Sequence, residues 1–93
     1  MNIADYIPYG QKNAISRKRL SRITGVPDRA LRELIALARH ETPILNFQNG
    51  GGYFRPLPEE RRLVERWMSQ EKRRAKRVFW SLKGAREFMR RET

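Results

Sequence analysis

The chain has 93 residues, 39% hydrophobic and 33% charged, with 21 Lys and Arg against 10 Asp and Glu, for a formal net charge of +11. That length makes one domain with a small core, and so lopsided a charge points to a polyanionic partner such as nucleic acid. The absence of cysteine excludes disulfides, Cys-ligated zinc and thiol catalysis; no apolar run approaches the ~20 residues of a membrane span, and the opening Met1-Asn-Ile-Ala-Asp-Tyr lacks a secretory pattern, so a cytoplasmic location is expected.

Residues 2–7 form a short helix candidate in which Ile3, Ala4 and Ile7 share a face, and Pro8 ends it because the residue before a proline avoids the helical region. Tyr9 to Asn13 is a turn-rich connector. Ser16 is a good N-cap preceded by Ile15 as a staple residue, and Leu20 and Ile23 supply a thin apolar stripe for a helix of about two turns. Gly25 provides a left-handed stop. Asp28 is expected to cap a second helix that ends near Glu41, before Pro43. Its core stripe is Leu31, Leu34, Ile35 and Ala38, with Arg29, Arg32, Ala36 and Arg39 on the other side.

Ile44 to Phe47 and Gly52 to Arg55 are short strand candidates. Asn49-Gly-Gly-Gly52 between them is a hairpin signal, because Asn and Gly reach positive φ at little cost. Tyr53 and Phe54 then give one residue to each face, and Pro56 ends pairing for want of a donor. Pro58 starts the longest element, with Glu59 and Glu60 complementing the helix dipole. Helical propensity continues to Gly84 and on towards Arg91, a rod of roughly 50 Å. Its apolar residues fall into two groups, Leu63, Val64, Trp67 and Met68, then Ala75, Val78, Phe79, Leu82, Ala85, Phe88 and Met89. The polar stretch Ser69 to Arg74 between them implies two different partners or a break near Ser69.

This order predicts a mainly α fold with a small β-hairpin: a winged helix-turn-helix over 1–57, followed by a long basic C-terminal helix over 58–93. In such a motif the second helix, here about 28–41, presents its N-terminal residues to base edges. Asp28, Arg29, Arg32, Glu33 and Ala36 fit that position, and arginine donates two hydrogen bonds to guanine O6 and N7. Arg39 extends the same polar side. Ser16, Arg17, Lys18 and Arg19 gather at the start of the first helix, where free amides and positive side chains favour a phosphate. Asn49, Gly50 and Gly51 at the hairpin tip carry nothing to obstruct a close approach, and Arg55 lies beyond the aromatics. Tyr53 and Phe54 are read as packing residues before stacking residues.

The block Lys72, Arg73, Arg74, Lys76 and Arg77 is a candidate second phosphate contact, or one face of a helix for an acidic partner or membrane surface. Ala75, Val78, Leu82, Ala85 and Met89 follow coiled-coil spacing, and Phe79, Trp80 and Phe88 widen that face, which suggests that two copies pair through this helix, the alternative being that it folds back onto its own domain. The carboxylates sit among arginines as ion-pair candidates: Glu60 with Arg61, Glu71 with Lys72, Glu87 with Arg91. His40 has no companion ligands for a metal. No catalytic set stands out, and the triple glycine precedes Tyr53 rather than Lys and a helix, so it is no phosphate-binding loop. An enzyme, a cofactor, a metal and a small-molecule substrate are not expected, nor is a membrane partner.

The run Ile7-Pro-Tyr-Gly-Gln-Lys-Asn-Ala-Ile-Ser-Arg-Lys-Arg-Leu20, then Thr24-Gly-Val-Pro-Asp-Arg29, Gly51-Gly-Tyr-Phe-Arg-Pro56 and Val78-Phe-Trp-Ser-Leu-Lys-Gly-Ala-Arg86 resembles small prophage-encoded winged-helix proteins. The resemblance covers most of the chain and implies a winged-helix fold with a DNA-related role in phage regulation or replication; it specifies no operator, activity or binding residue. The outline is also similar to bacterial winged-helix repressors, although the long basic terminal helix exceeds the minimal motif. The expected function is double-stranded DNA binding by a phage-type transcriptional regulator. A replication or excision accessory factor is the nearest alternative, followed by a protein-interaction or oligomerisation module and a single-strand binder.

Overall fold

The computed structural model describes residues 1–47 and 51–92. Two 3-10 turns, Ile3–Tyr6 and Gln11–Asn13, precede α1 (Arg17–Thr24) and α2 (Asp28–Ala38). A third 3-10 turn, Pro58–Glu60, leads into α3 (Arg61–Ser81) and α4 (Lys83–Glu92). Among the described residues no helix is long and apolar enough to cross a membrane.

Local chemistry sets these boundaries. Asn2 caps the first turn by accepting from the Ala4 N–H at 3.1 Å, and Ser16 Oγ caps α1 by accepting from the Arg19 N–H at 3.1 Å. Gly25 stops α1 at φ 74, with its N–H donating to Ser21 O at 2.8 Å. The three-residue turn that follows is held by side chains of α1: Thr24 Oγ1 accepts from the Val26 N–H at 3.2 Å, and Ser21 Oγ donates to Val26 O. Such side-chain bonds to a turn replace the ladder bonds that the backbone loses there. Asp28 is not the cap expected of it. Pro27 takes the extended flanking conformation (φ −59, ψ 151), which places Asp28 inside the first turn with its carboxylate free to pair sideways.

The winged helix-turn-helix with its β-hairpin is not what the described residues show: they contain no β-strand and no sheet. Three isolated bridges stand in their place, Tyr9 with Arg55, Ile15 with Tyr53 and Leu45 with Phe54. The reason is that residues 53–55 divide their pairing among three segments. Tyr53 exchanges both bonds with Ile15, Phe54 exchanges both with Leu45, and the Arg55 N–H donates to Pro8 O at 2.8 Å. Pro8, Pro43 and Pro56 flank these contacts and bring no N–H donors, so no ladder extends. The hairpin tip at Asn49 and Gly50 lies outside the described residues.

The alternation of Tyr53 and Phe54 nonetheless divides the core in two. Ile44 and Tyr53 join Ile3, Ala4, Ile7, Leu20, Leu31 and Ile35, with Leu34 and Ala38 packed alongside. Leu45, Phe47 and Phe54 form a second cluster against Leu63, Val64 and Trp67 of α3. Each fully buried aliphatic or aromatic side chain contributes roughly 1.5–3 kcal/mol, so the first cluster holds α1 to α2 and the second holds α3 to the rest.

Glu60 adds a polar anchor: its carboxylate accepts from the Leu57 N–H at 2.8 Å and the Gln11 N–H at 3.0 Å, rather than pairing with Arg61. Arg61 pairs with Glu65 instead, at 3.5 Å. The single long terminal helix is replaced by two. Helix α3 runs without interruption through Ser69, whose neighbours are good helix formers, and stops at Ser81. There the Leu82 N–H tightens onto Phe79 O at 3.1 Å and Ser81 Oγ donates to Val78 O at 2.6 Å.

Candidate nucleic-acid interface

The cationic residues fall into three environments. The first is an ion-paired edge between the starts of α1 and α2. Asp28 accepts from Arg17 Nε and faces Arg32 Nε at 3.5 Å. Arg17 also lies beside Tyr53, and the two acceptors hold its pKa above the ordinary arginine value, Tyr53 having the larger effect. These groups are well exposed, with Arg32 61% and Asp28 54% accessible in their side chains, so the pairs orient the arginines more than they stabilise the fold. Asp28 shares one negative charge between two guanidiniums, which leaves this edge net positive.

The second environment is open solvent. Lys18, Arg19 and Arg29 are exposed, and none has a carboxylate within ion-pair distance among the described residues. Arg19 lines a cleft of about 480 Å³ with Ser16 and Gly51, walled by Tyr6, Pro8 and Ile15. Three of the residues expected to meet DNA therefore converge: the α1 cap, a cation one turn on, and the glycine at the end of the undescribed tip. The Ser16 hydroxyl oxygen accepts from the Arg19 N–H in capping α1, which does not use its O–H donor. Gly52 lets the chain pass here at φ 125; a Cβ at this position would collide with the Ile15 carbonyl.

The third environment is internal. Arg39 Nε donates to Ile44 O at 2.8 Å and its Nη2 donates to Asn46 Oδ1 at 2.9 Å. Its guanidinium lies 5.9 Å from the Tyr53 ring centroid and 4.8 Å from that of Trp67. Burial lowers its pKa from the ordinary value. Arg55 donates from Nε to Ile7 O at 2.6 Å and stacks over Tyr9 at 4.0 Å. Both arginines were expected to face a ligand; the structure turns their guanidiniums onto backbone carbonyls and rings of the chain itself. The carbonyl partner of Arg55 is 48 residues away, whereas Arg39 bonds to the segment just after α2 and only its ring contacts, Tyr53 and Trp67, are remote.

The expected pairing seam lies apart. Val78 (64% exposed), Phe79 (62%), Leu82 (47%) and Met89 (61%) all stand in solvent, as do Ala75 and Ala85. Val78, Phe79 and Leu82 line a groove of about 390 Å³ with Ala75 and Arg74. Glu71 pairs with Arg74 at 3.3 Å rather than with Lys72, and Glu87 with Arg90 rather than Arg91. Arg86 lies over the Phe79 ring at 4.4 Å, a contact across the break between α3 and α4.

No protein-family model, curated protein or solved structure matches the chain.

Proposed function

We propose that the chain binds double-stranded DNA through the N-terminal ends of α1 and α2, as a small phage-type transcriptional regulator of the cytoplasm. One observation carries the reading: five cations, Arg17, Lys18, Arg19, Arg29 and Arg32, lie at these two helix starts, and among the described residues Asp28 is the one carboxylate paired with them. Helix N-termini and positive side chains both favour phosphate. Arg29 and Arg32 supply the forked donors suited to guanine, while Asp28 positions Arg17 and Arg32 relative to one another.

Fluorescence anisotropy with a labelled duplex, its single strand and heparin tests this. Duplex preference together with a log–log salt slope of about −0.9 per phosphate contact supports it. Binding of heparin and both DNA forms with equal affinity reduces the protein to a general polyanion binder. Arg32→Ala then separates base reading from phosphate contact. Loss on selected sequences alone indicates base reading, and uniform loss indicates phosphate contact.

A second reading, pairing of two copies through α3 and α4, is favoured by the exposed Val78, Phe79, Leu82 and Met89. Charge opposes it, with nine Lys and Arg against Glu87 alone between residues 72 and 91. The Debye length of about 8 Å at physiological ionic strength screens that repulsion, whereas apolar burial is insensitive to moderate salt. Self-association is therefore expected to strengthen as salt rises, opposite in sign to DNA binding, and sedimentation at two salt concentrations reads it directly.

A further inference from the structure

The basic block of α3 is not one uniform face. Residues 70, 73, 74 and 77 follow helical spacing along one side. There Gln70, Arg73, Arg74 and Arg77 enclose a cleft of about 320 Å³ together with Asn46, which comes from the segment after α2. Lys72 and Lys76 do not line it. The Oδ1 of Asn46 is already taken by Arg39, which leaves its NH2 as the group it can offer. The lining is therefore rich in donors: three guanidiniums, the Asn46 NH2 and the NH2 of the Gln70 amide, whose Oε1 is an acceptor. Arg74 is partly neutralised by Glu71 at 3.3 Å, while Arg73 and Arg77 have no ion-pair partner among the described residues. Two like charges one helical turn apart are mutually destabilising, and Arg74 also acts repulsively on the buried Arg39 behind the cleft. An anion seated there relieves both.

We infer that the cleft of Asn46, Gln70, Arg73, Arg74 and Arg77 binds a phosphodiester group of the nucleic-acid backbone. Guanidinium forks match phosphate oxygens in pairs. Among the described residues no aromatic ring lines the cleft to take a base, which favours a backbone phosphate over a nucleotide. The inference rests on the nucleic-acid reading for its source of phosphate, yet the site lies on α3 and is independent of Arg29 and Arg32.

The test compares Gln70→Glu with Met68→Glu. Both add one negative charge to α3, but Gln70 lines the cleft, while Met68 neither lines it nor stands three or four residues from Arg73, Arg74 or Arg77. Circular dichroism confirms that each retains its helix. Anisotropy with a labelled duplex is expected to show about a tenfold loss for Gln70→Glu and about twofold for Met68→Glu, the difference being the hydrogen bonds to a charged group lost only in the cleft. Equal losses overturn the inference, because the effect is then net charge alone. A second arm titrates inorganic phosphate into the wild-type protein and follows the Asn46 and Gln70 side-chain NH2 resonances. Shifts confined to these two and to the Arg73 and Arg77 Nε–H groups support the cleft even if no duplex binds, which would sink the DNA reading by itself. Duplex binding with equal losses in both variants and no phosphate shifts overturns the cleft alone.

Discussion

The packed body of the chain and its C-terminal arm, residues 72–92 of α3 and α4, are built from similar residues put to opposite uses. In the body, Leu20, Leu31, Ile44, Leu45 and Phe54 are at most 1% exposed, and Arg39 and Arg55 are spent on internal carbonyls and rings. In the arm, Val78, Phe79, Trp80 and Phe88 are each more than half exposed, and Arg73 and Arg77 have no ion-pair partner among the described residues. The difference teaches that residue type does not assign role here. A buried apolar side chain in the body stabilises the fold, while an exposed one in the arm contributes to monomer stability only within α3 and α4, as where Arg86 covers Phe79.

The sharpest way to break that contrast is to truncate an aromatic on each side. Phe54→Ala is expected to cost about 3–5 kcal/mol, a large share of the total stability of so small a domain. Phe88→Ala is expected to stay within about 0.5 kcal/mol. Thermal denaturation of dilute protein checks both, and a large loss from Phe88→Ala means that the arm is part of the core.

Gly52→Ala comes next. The positive φ and the Ile15 carbonyl in the way are expected to cost roughly 2–4 kcal/mol, the sum of backbone strain and displacement. Gly25→Ala, at φ 74 with nothing near its Cβ, should cost about 1 kcal/mol. Urea midpoints at unchanged slope order the two.

Arginine substitutions sharpen the comparison within the body itself. Arg39→Ala removes two hydrogen bonds and its ring contacts, so a loss of about 2–3 kcal/mol is expected. Arg29→Ala leaves stability unchanged and weakens duplex binding several-fold. The opposite pattern would exchange their roles. The smallest expected effect is at Trp67, whose buried Nε1–H has no hydrogen-bond partner among the described residues. Trp67→Phe keeps a ring beneath Arg39 and removes the unsatisfied donor, so it should cost less than about 1 kcal/mol, well under Trp67→Ala in the same denaturant series.

Local signals in the chain are legible wherever one residue decides the geometry. Ser16 caps, Gly25 turns left-handed, the Leu31 and Ile35 stripe faces inward, and Tyr53 and Phe54 part to opposite sides. What escapes is set by distant partners or by competition between neighbouring residues. The glycine-rich tip and flanking apolar runs promise a hairpin, but residues 53–55 bond to three segments, two of which precede α1. Asp28 looks like a cap until Pro27 takes that place. Arg55 resembles a surface cation because its carbonyl partner, Ile7, is 48 residues away. The helix break follows Ser81 because Leu82 tightens onto Phe79, although the polar stretch at Ser69 gives the stronger hint. Within the candidate site, the cluster of cations at the two helix starts is legible, whereas the pairing of Arg17 and Arg32 through Asp28 and the sorting of the α3 block are not.

Chemical-shift mapping against a short duplex tests most directly the proposal that the starts of α1 and α2 bind DNA. The amides of residues 16–19 and 28–33 should move most, with a separate group over 70–77 and little change from 78 to 89. Shifts confined to α4, or none at all while the protein stays folded, would contradict the assignment of the α1 and α2 starts as the DNA-binding edge.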